Sequence, residues 1–489
     1  MEMRKLMPLA GVLVILIIIG FVKNQKPTKR RLTEEAGLKK LSPANFLVTD
    51  ISKVTITMAG KDKPALSLYR QNDKDWAIDS LYHAPADTIK VEGFIEKLKQ
   101  LEGEFRANKK TIIKDFALDE KQAMRLVCYK KSETDPYLTL LVGKNAGSKA
   151  TFVRLPKEDT VYSVAVNFRS ELGIFGDDTQ KAPEGKHFLK KRFLTVDGNK
   201  VSALTLQLPG KELAFERREK PRPSIDESKM TTAEVEAAKN KPAEYEWHMV
   251  RGPSTFTFKE AALKDVIKAF DSLDAEDAMD PTTPSMWGLY DPQYKAEITL
   301  SDSKVVKVVR GGKKGSNTYV NELQQNHIYK VSSWNFDKAF PKGNKLFDLP
   351  KVTIKHDDLK QISVVNGESR FTIERKDVAG SKKWVLVEPL VVEADESKLS
   401  DIGWGVSGLS FDDYADDNNP SALGLAPAVG HIEYTLNNGE TKKVTVGGLT
   451  ADGGGRYVRL PDQAGVLVVT KYNIDRAFKT LEDIKKKEG

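Results

Sequence analysis

Four landmarks recur three times in one order along this chain, so any fold it adopts must itself be threefold repeated. The stretch VYSVAVNFRSEL (161–172) returns as HIYKVSSWNFDKAF (327–340) and GVLVVTKYNIDRAF (465–478). In each, an alternating apolar run reaches Asn167, Asn335 or Asn473, and a helix-like pattern begins. Those asparagines are placed to cap the helix, the side-chain oxygen accepting from an otherwise orphaned backbone N–H. Phe152, Tyr319 and Tyr457, in TFVRL, TYVNE and RYVRL, stand 15, 16 and 16 residues ahead of them. Trp76, Trp247 and Trp384 stand 91, 88 and 89 residues ahead. Each copy opens on Asp-x-x-Lys: Asp50 and Lys53, Asp197 and Lys200, Asp357 and Lys360.

Within a copy the hydrophobic period gives the element order. SKVTITM, ALSLYR and DWAI read as strands separated by turn residues. Val91, Phe94, Ile95, Leu98 and Leu101 then fall on one helical face, as do Leu263, Val266, Ile267, Phe270 and Leu273 in the second copy. In the third copy Leu399, Ile402, Val406 and Leu409 form a weaker face, which Gly403 and Gly405 are expected to interrupt. MRLVCYK, LTLLVGK, TFVRL and VYSVAV follow as strands. The expected fold class is α+β: three tandem copies of a strand-rich unit of about seven strands, one long and one short helix, behind one transmembrane helix. The expected boundaries are an anchor and basic segment at 1–31, a linker at 32–48, and units at 49–192, 193–350 and 351–489. The second unit carries a charged insertion, 221–242, in which Thr231-Thr-Ala-Glu234 forms a capping box for a short exposed helix.

The chain begins with an uncharged apolar run, MPLAGVLVILIIIGFV (7–22), short for a span but flanked by Lys5 and Lys23, which can snorkel to the interfaces. A cleaved signal peptide would show a small-x-small site after Ile19; Gly20, Phe21, Val22 and Lys23 stand there instead, and an uncleaved anchor is expected. Residues 1–31 hold seven basic residues against Glu2, so +6 of the net +8 belongs to this end and +2 to the other 458 residues. A nucleic-acid binder places its basic charge on the folded surface; none is expected as a partner here. Five basic residues follow the span and two precede it, a count that by itself keeps the bulk of the chain inside. A very short tail before a large polar domain is instead the arrangement of an exported signal-anchor, and export is the expectation. The single cysteine, Cys128, excludes an internal disulfide framework.

Catalytic and metal-binding patterns are missing. The six histidines (83, 187, 248, 327, 356 and 431) form no ligand-spaced pair. FDDYADDNN (411–419) lacks the alternating ligand order of a calcium loop and reads as solvation of a helix end. WGVSGLS (404–410) has Leu409 where a nucleophile elbow needs its second glycine. Cys128 sits in an apolar strand, and the three tryptophans read as core. Gly453, Gly454 and Gly455 invite comparison with a phosphate loop, but a strand follows them where that loop requires Gly-Lys-Ser/Thr and a helix. They read as a hairpin turn. No cofactor, metal, nucleotide or catalytic residue is expected.

The strand–glycine turn–strand segment VGKNAGSKATFVRLPKEDTVYSV (142–164), DWAI with its following helix, and WGLYDP (287–292) and LGLAP (423–427) resemble the bacterial domain-of-unknown-function family 4340. The second copy departs from the pattern, with Asn321 and Glu322 in place of Arg-Leu. The resemblance implies a single-pass protein of the bacterial inner membrane, its bulk periplasmic, of a kind encoded near ABC-type transporters and gliding-type auxiliary subunits. It implies no catalytic residue. The expected function is therefore a non-enzymatic, membrane-anchored extracytoplasmic scaffold working with integral transporter subunits. A module binding an envelope glycan or lipid in clefts between repeats is the alternative.

Overall fold

The computed structural model describes residues 37–131, 134–176, 178–221, 240–323, 327–352, 354–390, 393–415 and 419–486, with Thr231 and Glu236. The expected span at 7–22 lies outside the described residues, as do Thr232, Ala233 and Glu234 of the expected capping box. No helix among the described residues is long and apolar enough to cross a membrane. The chain forms two compact units, one ending at Phe188 and the other beginning at Leu189. The first holds one ten-stranded antiparallel sheet, and the second holds two sheets of eight.

All three sheets share one topology. In the middle sheet the first three strands, Val201–Leu208, Lys211–Glu219 and Tyr245–Arg251, form a meander, and the long helix Glu260–Asp271 then crosses the sheet. It delivers a fourth strand, Ala275–Met279, to the far edge. The fifth strand, Tyr294–Leu300, returns to the centre beside the first, and Val305–Lys314, Asn317–Glu322 and His327–Ser332 fill the space outward to the fourth. The third sheet runs in the same order from Leu359–Asn366 to Val466–Thr470. The first adds Lys39–Lys40 beyond one edge and Ala84–Pro85 beyond the other.

The seven expected strands of each copy are present; the fourth in chain order is the one the pattern missed. It reads EGEFRA (102–107), AEDAM (275–279) or DYA (413–415), the edge of its sheet in the second and third copies and flanked in the first only by the two-residue strand Lys39–Lys40. The acidic cluster at 411–419 is thus partly strand and not a helix terminus; Asp416, Asp417 and Asn418 lie outside the described residues. The segment read as a linker also folds in part: Lys39 and Lys40 pair with Gly103 and Glu102, and Leu41 and Phe46 are buried.

The crossing helix explains the long periodic stretches. Val91, Phe94, Ile95 and Leu98 in Thr88–Lys99 are buried, as are Leu263, Val266, Ile267 and Phe270 in the second copy. Each such side chain removed from water contributes about 1.5–3 kcal/mol. Gly403 and Gly405 do not interrupt the third helix, which runs unbroken over Glu396–Ser407. They are contact points: a Cβ on Gly403 would stand 2.5 Å from the Trp384 indole nitrogen, and one on Gly405 would stand 2.7 Å from the Ala477 backbone nitrogen.

Trp76, Trp247 and Trp384 all lie on third strands, buried, and pair in register with Arg70, Arg217 and Arg375. Each arginine donates to a carbonyl at the turn opening its copy, at Ile51, Asn199 and His356. In the third copy that turn holds half of the Asp-x-x-Lys motif, and Asp357 accepts from Arg375 at 2.7 Å. Asn167 caps Phe168–Glu171 as expected, accepting from the Ser170 N–H. Asn335 and Asn473 do not cap: their helices begin two residues earlier, at Ser333 and Lys471. There strand pairing persists to Ser332 and Thr470, which leaves no extended residues before the first turn.

Glycine packing yields a direct test. Gly405→Ala should lower thermal stability of the unit from Leu189 onward, because the obstruction is backbone. Gly93→Ala, in a helix of the first copy with nothing within 4 Å of the added carbon, should stabilise by about 0.5–1 kcal/mol. Calorimetry of the two single variants reads both signs, and destabilisation by Gly93→Ala would refute the packing account.

Candidate functional site

The sequence features left over from the core converge on a cleft of about 410 Å3 between the two sheets of the second unit. Its walls include Lys211, Tyr294 and Lys342 from the second copy, and Asp413, Tyr414, Asp452 and Tyr457 from the third. Gly454 and Gly455 are on its rim.

One side is set by a two-residue hairpin, Pro209-Gly210, in which Gly210 takes φ +72° and Leu208 pairs with Lys211. The turn delivers Lys211 to the edge strand Asp413–Ala415, where its side chain is only 5% exposed. Its ammonium bonds to Asp413 Oδ1 and lies 4.3 Å from the centre of the Tyr414 ring. The same oxygen accepts from the Gly343 N–H at 2.9 Å and the Tyr414 N–H at 3.0 Å. A Cβ on Gly343 would stand 2.4 Å from that oxygen, so only glycine allows the approach. Phe256 and Phe347 flank Tyr414 with ring centres 5.8 and 5.3 Å away. The charged groups at the base of the cleft are thereby committed to one another, joining the two copies.

The glycine turn is equally committed. Gly453 takes φ +67° between strands Thr441–Leu449 and Gly455–Arg459. Its N–H donates to Thr450 O, that of Gly454 to Asp452 Oδ1, and that of Gly455 to Thr450 Oγ1. A phosphate loop needs those N–H groups free and turned to one point; here the protein's own carbonyl, carboxylate and hydroxyl take them. The Thr450 hydroxyl, with the Gly454 N–H after it, holds the Asp452 carboxyl below its ordinary value. Burial raises the Tyr294 phenol, with the Arg310 guanidinium 4.4 Å from its ring acting in the opposite sense. No cluster of three His, Cys, Asp or Glu suited to a metal is found among the described residues. Burial pushes the Cys128 thiol up to about 12, which makes it an inert core group. Ser407 ends a helix and stands on no elbow.

Phe152, Tyr319 and Tyr457 hold equivalent places on the seventh strand, against the segment that precedes the fifth. Phe152 meets Phe116 at 4.8 Å, Tyr319 meets Trp287 at 4.7 Å, and Tyr457 packs on the Leu423–Leu425 cluster. In each segment the residue after that partner is left-handed: Ala117, Gly288 and Gly424. The carbonyl before it, at Phe116, Trp287 or Leu423, presses onto a bulge glycine, Gly143, Gly311 or Gly447, where a Cβ would stand within 2.6 Å of the oxygen. This contact was not anticipated, although VGKN, RGGK and VGGL carry its signal at matching places. Lys211, Asp413 and Gly343 had no such signal, because their pairing links different copies.

A family model described as Domain of unknown function (DUF4340) matches residues 76–286, 247–426 and 384–488, each stretch opening on one of the three tryptophans. The chain belongs to this family. No curated protein and no solved structure matches it. Among DUF4340 features, WGLYDP and LGLAP are thus the left-handed turns that sit on bulge glycines, and DWAI is the third strand with its core tryptophan.

Two outcomes test this geometry. Asp413→Ala should cost about 3–5 kcal/mol, since it strands a buried ammonium and the Gly343 N–H together. Lys211→Met, which leaves Asp413 its two backbone donors, should cost clearly less in the same denaturation assay. In the turn, Gly453→Ala should destabilise by about 1 kcal/mol because of its left-handed backbone, whereas Gly454→Ala should change stability by less than about 0.5 kcal/mol. Equal costs at the two glycines would contradict the turn assignment.

Proposed function

We propose that this DUF4340 chain is a non-enzymatic scaffold, anchored in the bacterial inner membrane by residues 7–22, with its bulk on the extracytoplasmic side. Its partners are the integral subunits of an ABC-type transporter. The observation that carries this reading is the Lys211–Asp413–Tyr414 junction. There the second unit spends its buried charges on fixing one sheet against the next, which is what a spacer of set geometry requires and a reaction centre does not. The near-neutral charge of the region beyond the basic segment also favours protein partners over nucleic acid. The second reading, an envelope glycan- or lipid-binding module, draws on Tyr294, Tyr414 and Tyr457 around a cleft large enough for a small ligand.

Purification of the full chain in mild detergent separates the two. Co-purified transporter subunits support the scaffold, and bound glycan or lipid without them supports the second reading. A phosphatase fused to the C-terminus should be active and a cytosolic reporter silent; the reverse pattern would end both readings.

A further inference from the structure

The threefold repeat supplies an internal control for one place in the fold. Where the long helix passes the third-strand tryptophan, the first and third copies pair the arginine in register with it to a carboxylate. In the first, Arg70 meets Glu92 of the helix at 3.1 Å. In the third, Arg375 meets Asp357 at 2.7 Å, and Trp404 of the helix stacks on His356 at 4.0 Å.

The second copy does not. Counting from the helix starts at Thr88, Glu260 and Glu396, the position of Glu92 is Lys264, and that of Glu96 and Trp404 is Lys268. Arg217 has no carboxylate partner among the described residues; its guanidinium lies 4.7 Å from the centre of the Tyr245 ring. Tyr245 is itself particular to this copy, since Lys74 and Lys382 occupy its place, two residues before the tryptophan, in the others. The result is a cleft of about 440 Å3 whose lining includes Arg217, Lys264, Lys268, Tyr245 and Trp247. Lys264 reaches Glu260 at 2.7 Å, while Lys268 has no ion pair among the described residues. Asp271, the acidic group in the lining, accepts from the Val196 N–H at 3.1 Å.

We propose that this cleft binds a phosphorylated hexose, free or as the head of a lipid. Three cations set around one space suit a dianionic phosphate, with Arg217 able to present a planar pair of donors. Tyr245, 47% exposed, offers ring surface to the flat C–H side of a sugar, and the buried Trp247 lines the cleft beside it. The remaining apolar lining is Val196 and Ile267, too little for an acyl chain. The volume falls within the range of small-ligand sites. This site lies within one copy, independent of the cleft between copies and of the scaffold reading.

The test is calorimetric titration of the full chain in neutral detergent with glucose 6-phosphate, glucose, inorganic phosphate and a C10 prenyl glucosyl phosphate. Glucose 6-phosphate should bind at least about tenfold more tightly than glucose or phosphate alone, a factor equal to about 1.4 kcal/mol. Restoring the first copy's residues with Lys264→Glu and Lys268→Glu should weaken it at least about tenfold, as should Arg217→Gln, and Glu92→Lys should not. Positions 264 and 268 are exposed, and an unchanged melting curve confirms that each variant folds. Equal affinity for the prenyl compound marks a soluble ligand, and a gain for it marks a lipid head. No binding of either sugar phosphate, equal binding of phosphate alone, or unchanged binding in the double Glu variant would overturn the proposal.

Discussion

The helix that crosses each sheet from its third strand to its far edge is the element on which the rest depends. An antiparallel sheet has an apolar face that must be buried against another element. The helix covers one face of it and, in the same stroke, carries the chain to the opposite edge. The fifth strand must then start beside the first and close the gap. The apolar stripe Val91–Phe94–Ile95–Leu98 and its counterparts thus set the strand order as well as the core.

How much of this was legible follows from where each signal is stored. Helix stripes and central strands are local and periodic, and they read correctly from the sequence. The fourth strand did not, because it is an edge in two sheets and has only a two-residue neighbour in the other, so its residues answer to solvent. The third helix looked broken because propensity penalises Gly403 and Gly405, whereas tertiary contact with Trp384 and Ala477 demands them. Asn335 and Asn473 looked like Asn167 because the flanking pattern is the same, but the last strand there pairs further and moves the helix start. The cleft's aromatic Tyr457 was visible as a repeat landmark. Its floor, Lys211 against Asp413, was hidden by a separation of 202 residues and by the absence of any equivalent pair to compare.

The copies show how one scaffold carries different local duties. The glycine bulge under a left-handed turn is kept in all three, since the carbonyl-to-backbone distance leaves room for nothing larger. The arginine opposite the tryptophan is also kept, yet its surroundings change: paired with the helix in the first copy, open and cationic in the second, paired with the opening turn in the third. Backbone sterics hold the frame, and side chains on the solvent face of the crossing helix are free to vary.

The phase of the family matches has a practical consequence for anyone dividing the chain. Two of them run from the third strand of one sheet to just before the fifth strand of the next, as at 76–286 and 247–426. A fragment cut at Trp247 would retain a third strand whose one neighbour, the second, had been left behind together with the first. It would therefore present the fifth strand, Tyr294–Leu300, as a raw edge in what had been the middle of a sheet. Such an edge is an invitation to pair with another chain. Fragments that begin ahead of Lys39 for the first sheet, and ahead of the opening turns near residues 197 and 356 for the other two, keep every strand with its partners.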